Sequence, residues 1–313
     1  MKKIIFTLII LSSFNLFSQV NEEDASNFLE SYFSPLGESL GAGLNNGWYN
    51  TAKPHKLAGF DITLTLNTVT IPNSDLNFNP NDVPNFSSSS SSTPTLLGSG
   101  NGADINYNGL NFSMPNQTIE KSIVPVPMLN AGVGLIKETE IDIRYVPTYN
   151  YKLGFAGKGS IGLWGIGLKH DILQWIPIIG DAIPINLSVQ MGHTNLNTKF
   201  DIEANGAKQN VDLDIQATTV NIIASKKILM LTAHAGLGYN SSTTKFNSST
   251  AFSIGDINNA IDFNVPLDIK FESHNEFRAN IGLRFNLSLI TLQANHTFSK
   301  YPVTTLGCGI SIR

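Results

Sequence analysis

The sequence has little that could cross-link, coordinate a metal or carry charge. Its 313 residues include one cysteine, Cys308. No internal disulfide can form, and a disulfide scaffold is excluded. Cys308 also lies far from the N-terminal processing region, which excludes a lipid-anchored lipoprotein. Charged residues make up only 14% of the chain, against about 25% in ordinary soluble domains. The net charge of −4 is too mild to mark a nucleic-acid partner. Beyond residue 19 no run of apolar residues is long enough for a transmembrane helix. The six histidines, His55, His170, His193, His234, His274 and His296, show no H-x-x-x-H or H-E-x-x-H spacing, and no Cys/His ligand pattern exists. His170 and Asp171 are neighbours in a strand-like stretch, so they point to opposite faces and form no dyad. No catalytic residue, metal or cofactor is assigned, and the chain does not read as an enzyme.

What is present is alternation. Phe277, Ala279, Ile281, Leu283 and Phe285 alternate with Arg278, Asn280, Gly282, Arg284 and Asn286. Two further strands follow to the C-terminus, the last with Leu306, Cys308, Ile310 and Ile312 on its apolar face. A period of two puts one residue set on each face of a sheet. The same pattern recurs at Leu57–Ile71, Glu140–Tyr145, Ser160–Asp171, Ile185–Gly192, Lys199–Glu203, Val211–Ser225, Leu229–Tyr239 and Phe263–Ser273, with Lys226-Lys227 read as a tight turn. In the Glu140–Tyr145 stretch Glu140, Asp142 and Arg144 share one face and Ile141, Ile143 and Tyr145 the other. Three charges on one face do not suit a soluble core, and the other face suits lipid.

Ahead of the strands, residues 1–19 read as a secretory signal: Lys2 and Lys3, then the apolar Ile4–Leu11, then small and polar residues. Asn21–Leu40 reads as an amphipathic helix with Glu22, Glu23 and Asp24 at its positive end and Pro35 kinking or ending it. Residues 73–126 read as a long polar loop with a disordered serine run at Ser87–Ser92, placed outside the cell or partly as a hatch. The apolar stretch Leu173–Gly180, with Trp175, reads as an interfacial segment, a cover over a ligand entrance, or a loop packed on its neighbours.

These readings give an all-β fold: a closed antiparallel transmembrane β-barrel of about 12–14 strands. Residues 20–56 are expected to form a helical plug and residues 57–313 the barrel. Phe28, Tyr32, Phe33, Trp48, Tyr49 and Trp175 are candidate plug or ligand contacts. Glu140, Asp142, Arg144, Arg278 and Arg284 are expected to face the lumen, as a selective constriction or, preferably, as an ionic lattice bracing it.

Three stretches carry a resemblance to a known family. They are Gly47–Ala52 leading to His55–Asp61, then Gly165–Asp171 leading to Trp175 and Pro177, and the ending Leu306–Arg313. Together they resemble bacterial outer-membrane barrels related to the FadL-type hydrophobic-compound channels, and more closely an uncharacterised family of such barrels. The resemblance implies an N-terminal plug, a 14-strand barrel in the outer membrane of a Gram-negative bacterium, and passage of small hydrophobic compounds, in part through a lateral opening. The Asn-Pro-Ala plug motif of that family is absent. The implied partners are outer-membrane lipid, the barrel-assembly machinery and a small hydrophobic ligand. A structural or adhesive surface protein, and a soluble periplasmic β-sandwich, are the competing readings.

Overall fold

A computed structural model describes residues 20–117, 122–153, 157–176, 184–204, 207–248, 252–256, 259–263, 267–272 and 276–312. The expected signal segment and the apolar residues 177–180 lie outside them. Ten antiparallel strands close into a ring. They are β1 (Phe60–Thr70), β2 (Ile123–Leu135), β3 (Thr139–Leu153), β4 (Gly157–Asp171), β5 (Asn186–Ala204), β6 (Ala207–Ile228), β7 (Leu231–Ser248), β8 (Glu276–Leu287), β9 (Ile290–Phe298) and β10 (Val303–Ile312). Each pairs with its sequence neighbours, and β10 pairs with β1 from Ile312 opposite Phe60 to Val303 opposite Val69. Closure leaves no free sheet edge at the ends of the sequence.

The closed antiparallel barrel is as expected, but the ring has ten strands and not 12–14. The difference lies in strand length. β5 and β6 run for 19 and 22 residues, about twice what a tilted membrane strand needs, so the chain is used up in fewer, taller strands. Lys226 and Lys227 are not a turn. They pair with Ala233 and Thr232, and the reversal falls at Leu229-Met230.

Alternation sorts the side chains by face. On β1, Ile62, Leu64 and Leu66 are exposed, while Thr63, Thr65 and Asn67 are buried. The outward set continues round the ring with Ile143, Ile166, Leu168, Ile222, Leu237, Ile281, Leu283, Leu292, Leu306 and Ile310. An apolar outer belt over a polar interior is the pattern lipid requires and water does not. Cys308 faces outward with that belt, as read from the sequence. Above the belt the outer face of β5 and β6 turns polar, with Lys199 paired to Asp212 at 2.8 Å and Asn195 donating to Asp214 at 3.1 Å.

Helix α1 (Glu22–Leu44) lies inside the ring. Asn21 caps its first turn by accepting from the Asp24 N–H at 2.8 Å. Pro35 does not end it: the helix continues nine residues further, with Pro35 itself buried. Three glycines let it approach the wall. A Cβ on Gly37 would meet Thr244, one on Gly41 would meet Ser242, and one on Gly43 would meet Val126.

The segment between β1 and β2 is more structured than its polar composition suggests. It forms a pair of strands, Asn77–Phe78 with Thr93–Pro94, and a three-stranded sheet, Phe86–Ser88, Asp104–Tyr107 and Leu110–Ser113. The serine run contributes to the second sheet through Ser87 and Ser88. Leu76, Val83, Phe86, Leu97, Ile105, Tyr107, Phe112 and Met114 are buried within one core with α1. Scattered apolar residues with no simple period supplied the interior that periodicity alone did not reveal. The segment therefore caps the barrel over the helix N-terminus, where Asp24 accepts from Tyr107 Oη at 2.8 Å and Asn85 Nδ2 at 2.9 Å.

Candidate functional site

The interior has two storeys. Near the cap it is apolar. Phe28 stacks on Phe86 with ring centroids 4.5 Å apart, and Phe33 lies 4.9 Å from Phe246. Leu196, Leu213, Ile215 and Phe246 line the wall beside them. Tyr32 packs in the same storey and accepts a hydrogen bond from Gln117 at 3.0 Å.

Toward the short-turn end the interior is polar, and it is built around the C-terminus of α1. The last carbonyls of a helix lack intrahelical donors and carry the negative end of its dipole. Two wall arginines supply both donors and positive charge. Arg144, from β3, donates to the carbonyls of Leu44 at 2.6 Å and Asn46 at 2.5 Å. Arg278, from β8, donates to the Asn45 carbonyl at 2.8 Å and to Asn46 Oδ1 at 2.7 Å. Asn67 adds a bond to the Gly43 carbonyl at 2.8 Å, and Thr297 one to Asn46 Oδ1 at 2.6 Å.

The chain then descends along the wall. The Trp48 indole lies with the Arg144 guanidinium 3.6 Å from its ring centroid. Its other side rests where Gly167 and Gly192 leave room, since a Cβ at either would collide with the indole. Tyr49 is buried against Gly236 and His234. Arg284 donates to Asn50 Oδ1 at 2.6 Å. Glu140 pairs with Lys169 at 2.6 Å and accepts the His55 N–H, also at 2.6 Å. Asp142 is buried on the same face between Glu140 and Arg144.

The structure thus gathers Phe28, Tyr32, Phe33, Trp48 and Tyr49 inside the barrel, and all five candidate charges with them. Arg144 and Arg278 donate to residues 44–46 and Arg284 to Asn50, while Glu140 pairs with Lys169. Trp175 stands apart. It is exposed at the short-turn rim, where its Nε1–H donates to His170 at 2.8 Å. A cavity of about 20 Å³ lies beside the helix near Glu38 and Asn240, and one of about 40 Å³ lies at the short-turn end near Thr51 and Arg284. Each holds no more than a water or two.

Among the described residues the wall is incomplete at the seam between β2 and β3. β2 and β3 pair only from Asn130 opposite Arg144 to Leu135 opposite Thr139. Above that point β2 stays paired to β1 up to Ile123, and β3 stays paired to β4 up to Leu153. Among the described residues no ladder joins the upper halves of β2 and β3. Pro125 and Pro127 explain part of this. β2 keeps its β1 ladder through both, so the N–H groups the two prolines lack belong to the other edge. On the facing strand, Pro147 sits at a register shift between Val146 and Tyr149. The slot is backed by Val126, Met128 and α1, and its floor is the bond from Arg144 Nε to Asn130 Oδ1 at 2.6 Å. The resemblance implied a lateral opening without placing it; sequence reading did not locate this slot and missed Asn67, Asn130 and Thr297. The Pro125-Val126-Pro127 alternation was the available signal for the first.

At the cap end, Lys300 bridges the helix and the cap, 3.4 Å from Glu38 and 2.9 Å from Asp75. Tyr301 Oη donates to Asp75 at 2.6 Å. Burial alone would raise the Asp75 carboxyl, but bonds from Tyr301, Lys300 and Ser74 hold it below its ordinary range. Burial works against the Lys300 ammonium, yet Asp75 and Glu38 hold it above its usual value.

Solved structures similar to this chain are barrels. The translocator domain of autotransporter NalP from Neisseria meningitidis is 10% identical, with 93% of this chain and 99% of that chain covered and a TM-score of 0.36. The β domain of the Bordetella autotransporter BrkA is 9% identical over 82% and 99%, TM-score 0.32. The CymD monoaromatic hydrocarbon channel is 8% identical over 82% and 88%, TM-score 0.23. No curated protein matches. The family described as "Family of unknown function (DUF6588)" matches residues 1–312, and the chain belongs to it.

Proposed function

We propose that the protein is an outer-membrane channel that admits small hydrophobic or amphipathic compounds through the side of its wall, with residues 20–56 as a plug that keeps the lumen closed to ions. The observation that carries this is the slot between the upper halves of β2 and β3. Unpaired backbone facing hydrocarbon costs several kcal/mol per group, so an opening there is tolerated where it leads to protein or a cavity. It leads to the apolar storey around Phe28 and Phe33, and it ends on Arg144, the residue that clamps the plug. A solute that displaced the Arg144–Asn130 contact would also disturb the hold on Leu44 and Asn46. Delivery to the outer membrane after removal of residues 1–19, and insertion by the barrel-assembly machinery, belong to the same reading.

The test is uptake of radiolabelled toluene by cells producing the protein. Wild type should take it up several-fold faster than cells lacking it. A reducible cysteine cross-linker joining Leu129→Cys to Tyr145→Cys, in a Cys308→Ser background, should return uptake to the baseline, and reduction should restore it. Baseline uptake by wild type, or unchanged uptake after cross-linking, would overturn the proposal.

A second reading has its own observation. The outer face of the cap bears an open cleft of about 530 Å³ lined by Ser87, Asp104, Asn106, Asn111 and Ser113. A surface-binding protein would use it. Deleting residues 81–101 would then abolish attachment while leaving the barrel heat-modifiable on gels.

A further inference from the structure

We infer that the short-turn rim is a binding surface for anionic phospholipid, seated in the headgroup layer rather than in the water beyond it. This rests on the outer-membrane reading above. Five connections meet at that rim, and each exposes a large apolar side chain. Leu57 precedes β1, Ile136 joins β2 to β3, Trp175 lies between β4 and β5, Leu229 joins β6 to β7, and Leu289 joins β8 to β9. Their exposures are 69%, 67%, 61%, 89% and 53%. Tight turns in water favour Gly, Asn, Asp and Ser. Leu229 is the clearest departure. Its φ of +54° lies in the left-handed region, where glycine or asparagine fits at no steric cost and leucine does not.

Height gives an independent argument. An aromatic row, Tyr239, Phe277 and Phe298, marks the upper border of the outer belt, all three exposed. From these residues to the exposed tips Leu229 and Leu289 is nine to twelve positions along β7, β8 and β9. A strand tilted by about 40° rises roughly 2.5 Å per residue, so the belt is about 22–30 Å tall with the turns as its lower edge. An apolar band of a barrel is about 25 Å tall. The turns are therefore needed to complete the belt, and they meet the lower headgroups.

Charge names the lipid. Lys56, Lys137, Lys226 and Lys227 are exposed within a few residues of the apolar tips. Facing them, Glu138 is exposed, and Asp171 is half-buried and accepts from the Leu173 N–H at 2.8 Å. Lysine beside exposed apolar side chains suits anionic headgroups. At the other rim, among the described residues, Lys199 is neutralised by Asp212. The seating also fixes the depth of the slot. Asn130 lies about 15 Å above the tips by the same rise, which puts the slot in the half of the bilayer nearest the cap.

The experiment uses the full chain in vesicles, with Cys308→Ser and Leu229→Cys carrying an environment-sensitive fluorophore. Ser87→Cys, on the cap, is the water-exposed control. In vesicles of phosphatidylcholine with phosphatidylglycerol, emission at 229 should be blue-shifted relative to 87. Headgroup-spin-labelled phosphatidylglycerol should quench it at least twofold more than the same label on phosphatidylcholine. Lys226→Gln with Lys227→Gln should make the two lipids equal without changing heat modifiability on gels. Water-like emission at 229, or equal quenching in wild type, overturns the inference. Shielding at 229 in native outer membranes but not in lipid vesicles would assign the rim to a protein partner and also overturn it. Failure of the chain to insert into membranes at all would instead overturn the outer-membrane reading.

Discussion

Arg144 joins three parts of the molecule: the helix C-terminus, the floor of the slot and the Trp48 indole. Replacing it by alanine leaves the Leu44 and Asn46 carbonyls without their donor, at a cost of order 3 kcal/mol. Arg144→Ala should lower the temperature at which the unboiled gel form converts to the boiled form, and Arg144→Lys should recover only part, because an ammonium lacks the planar fork that reaches both carbonyls and Asn130. An unchanged conversion temperature in Arg144→Ala would remove the clamp from the account. Gly192 tests the opposite face of the indole. Gly192→Ala should destabilise by about 1–3 kcal/mol by overpacking, since Arg144 prevents Trp48 from moving away. Asp75 carries a pH dependence. Its carboxyl is held below its unfolded value, so its contribution is present above about pH 4 and is lost as pH falls through the lower folded value. The Lys300 contribution is lost only as pH rises beyond the ordinary lysine range. Amide exchange in residues 73–76 should therefore accelerate on acidification below about pH 4, and Asp75→Asn should abolish that step.

At the scale of elements, β2 and α1 deviate from what their sequences suggested, for different reasons. β2 was not read as a strand, and its first residues, Ile123–Val126, fell in the expected loop; Pro125 and Pro127 break the strand signature and leave its upper edge without two donors. Pro125→Val with Pro127→Val restores them. The ladder to β3 should then lengthen, seen as slower amide exchange at Leu129, whose N–H faces β3, and toluene uptake should fall. Unchanged exchange would mean that the register shift at Pro147, rather than the missing donors, holds the slot apart. α1 continues past Pro35 because the cost of a proline in a helix, about 3 kcal/mol, is met by packing inside a closed ring. Gly37, Gly41 and Gly43 read as weak helix positions in isolation. Their role appears only against Thr244, Ser242 and Val126.

At the scale of the whole molecule, the lumen is divided between an apolar storey and a polar one, and the proposed plug spans both. Removing residues 20–56 should leave a ring whose strands keep every ladder. In planar bilayers the truncated protein should show step conductance that the full chain lacks. Equal conductance of the two forms, with both heat-modifiable, would show that residues 20–56 do not seal the barrel. The same comparison bears on the two-storey division, since the open pore would be lined by Arg144, Arg278, Arg284, Glu140 and Lys169 at its short-turn end.

Alternation of side chains is a local property, and it was sufficient for the class of fold, the inward set of charges and the outward set of aliphatics. A two-residue period decides which face each residue takes, whatever surrounds it. The same holds for the amphipathic helix; Trp48 and Tyr49 were candidate plug or ligand contacts, and their burial inside the ring comes from the tertiary structure. Strand number, the slot and the partners of the arginines are not local. They depend on how far each ladder extends and on which strand lies opposite, so Pro125 and Pro127 acquire meaning only when β3 is found beside them. The arginines were legible as lumen residues, but their acceptors are backbone carbonyls, which leave no mark in the sequence. Only the closed tertiary structure brings Arg144 and Arg278 to the one helix terminus that needs their charge.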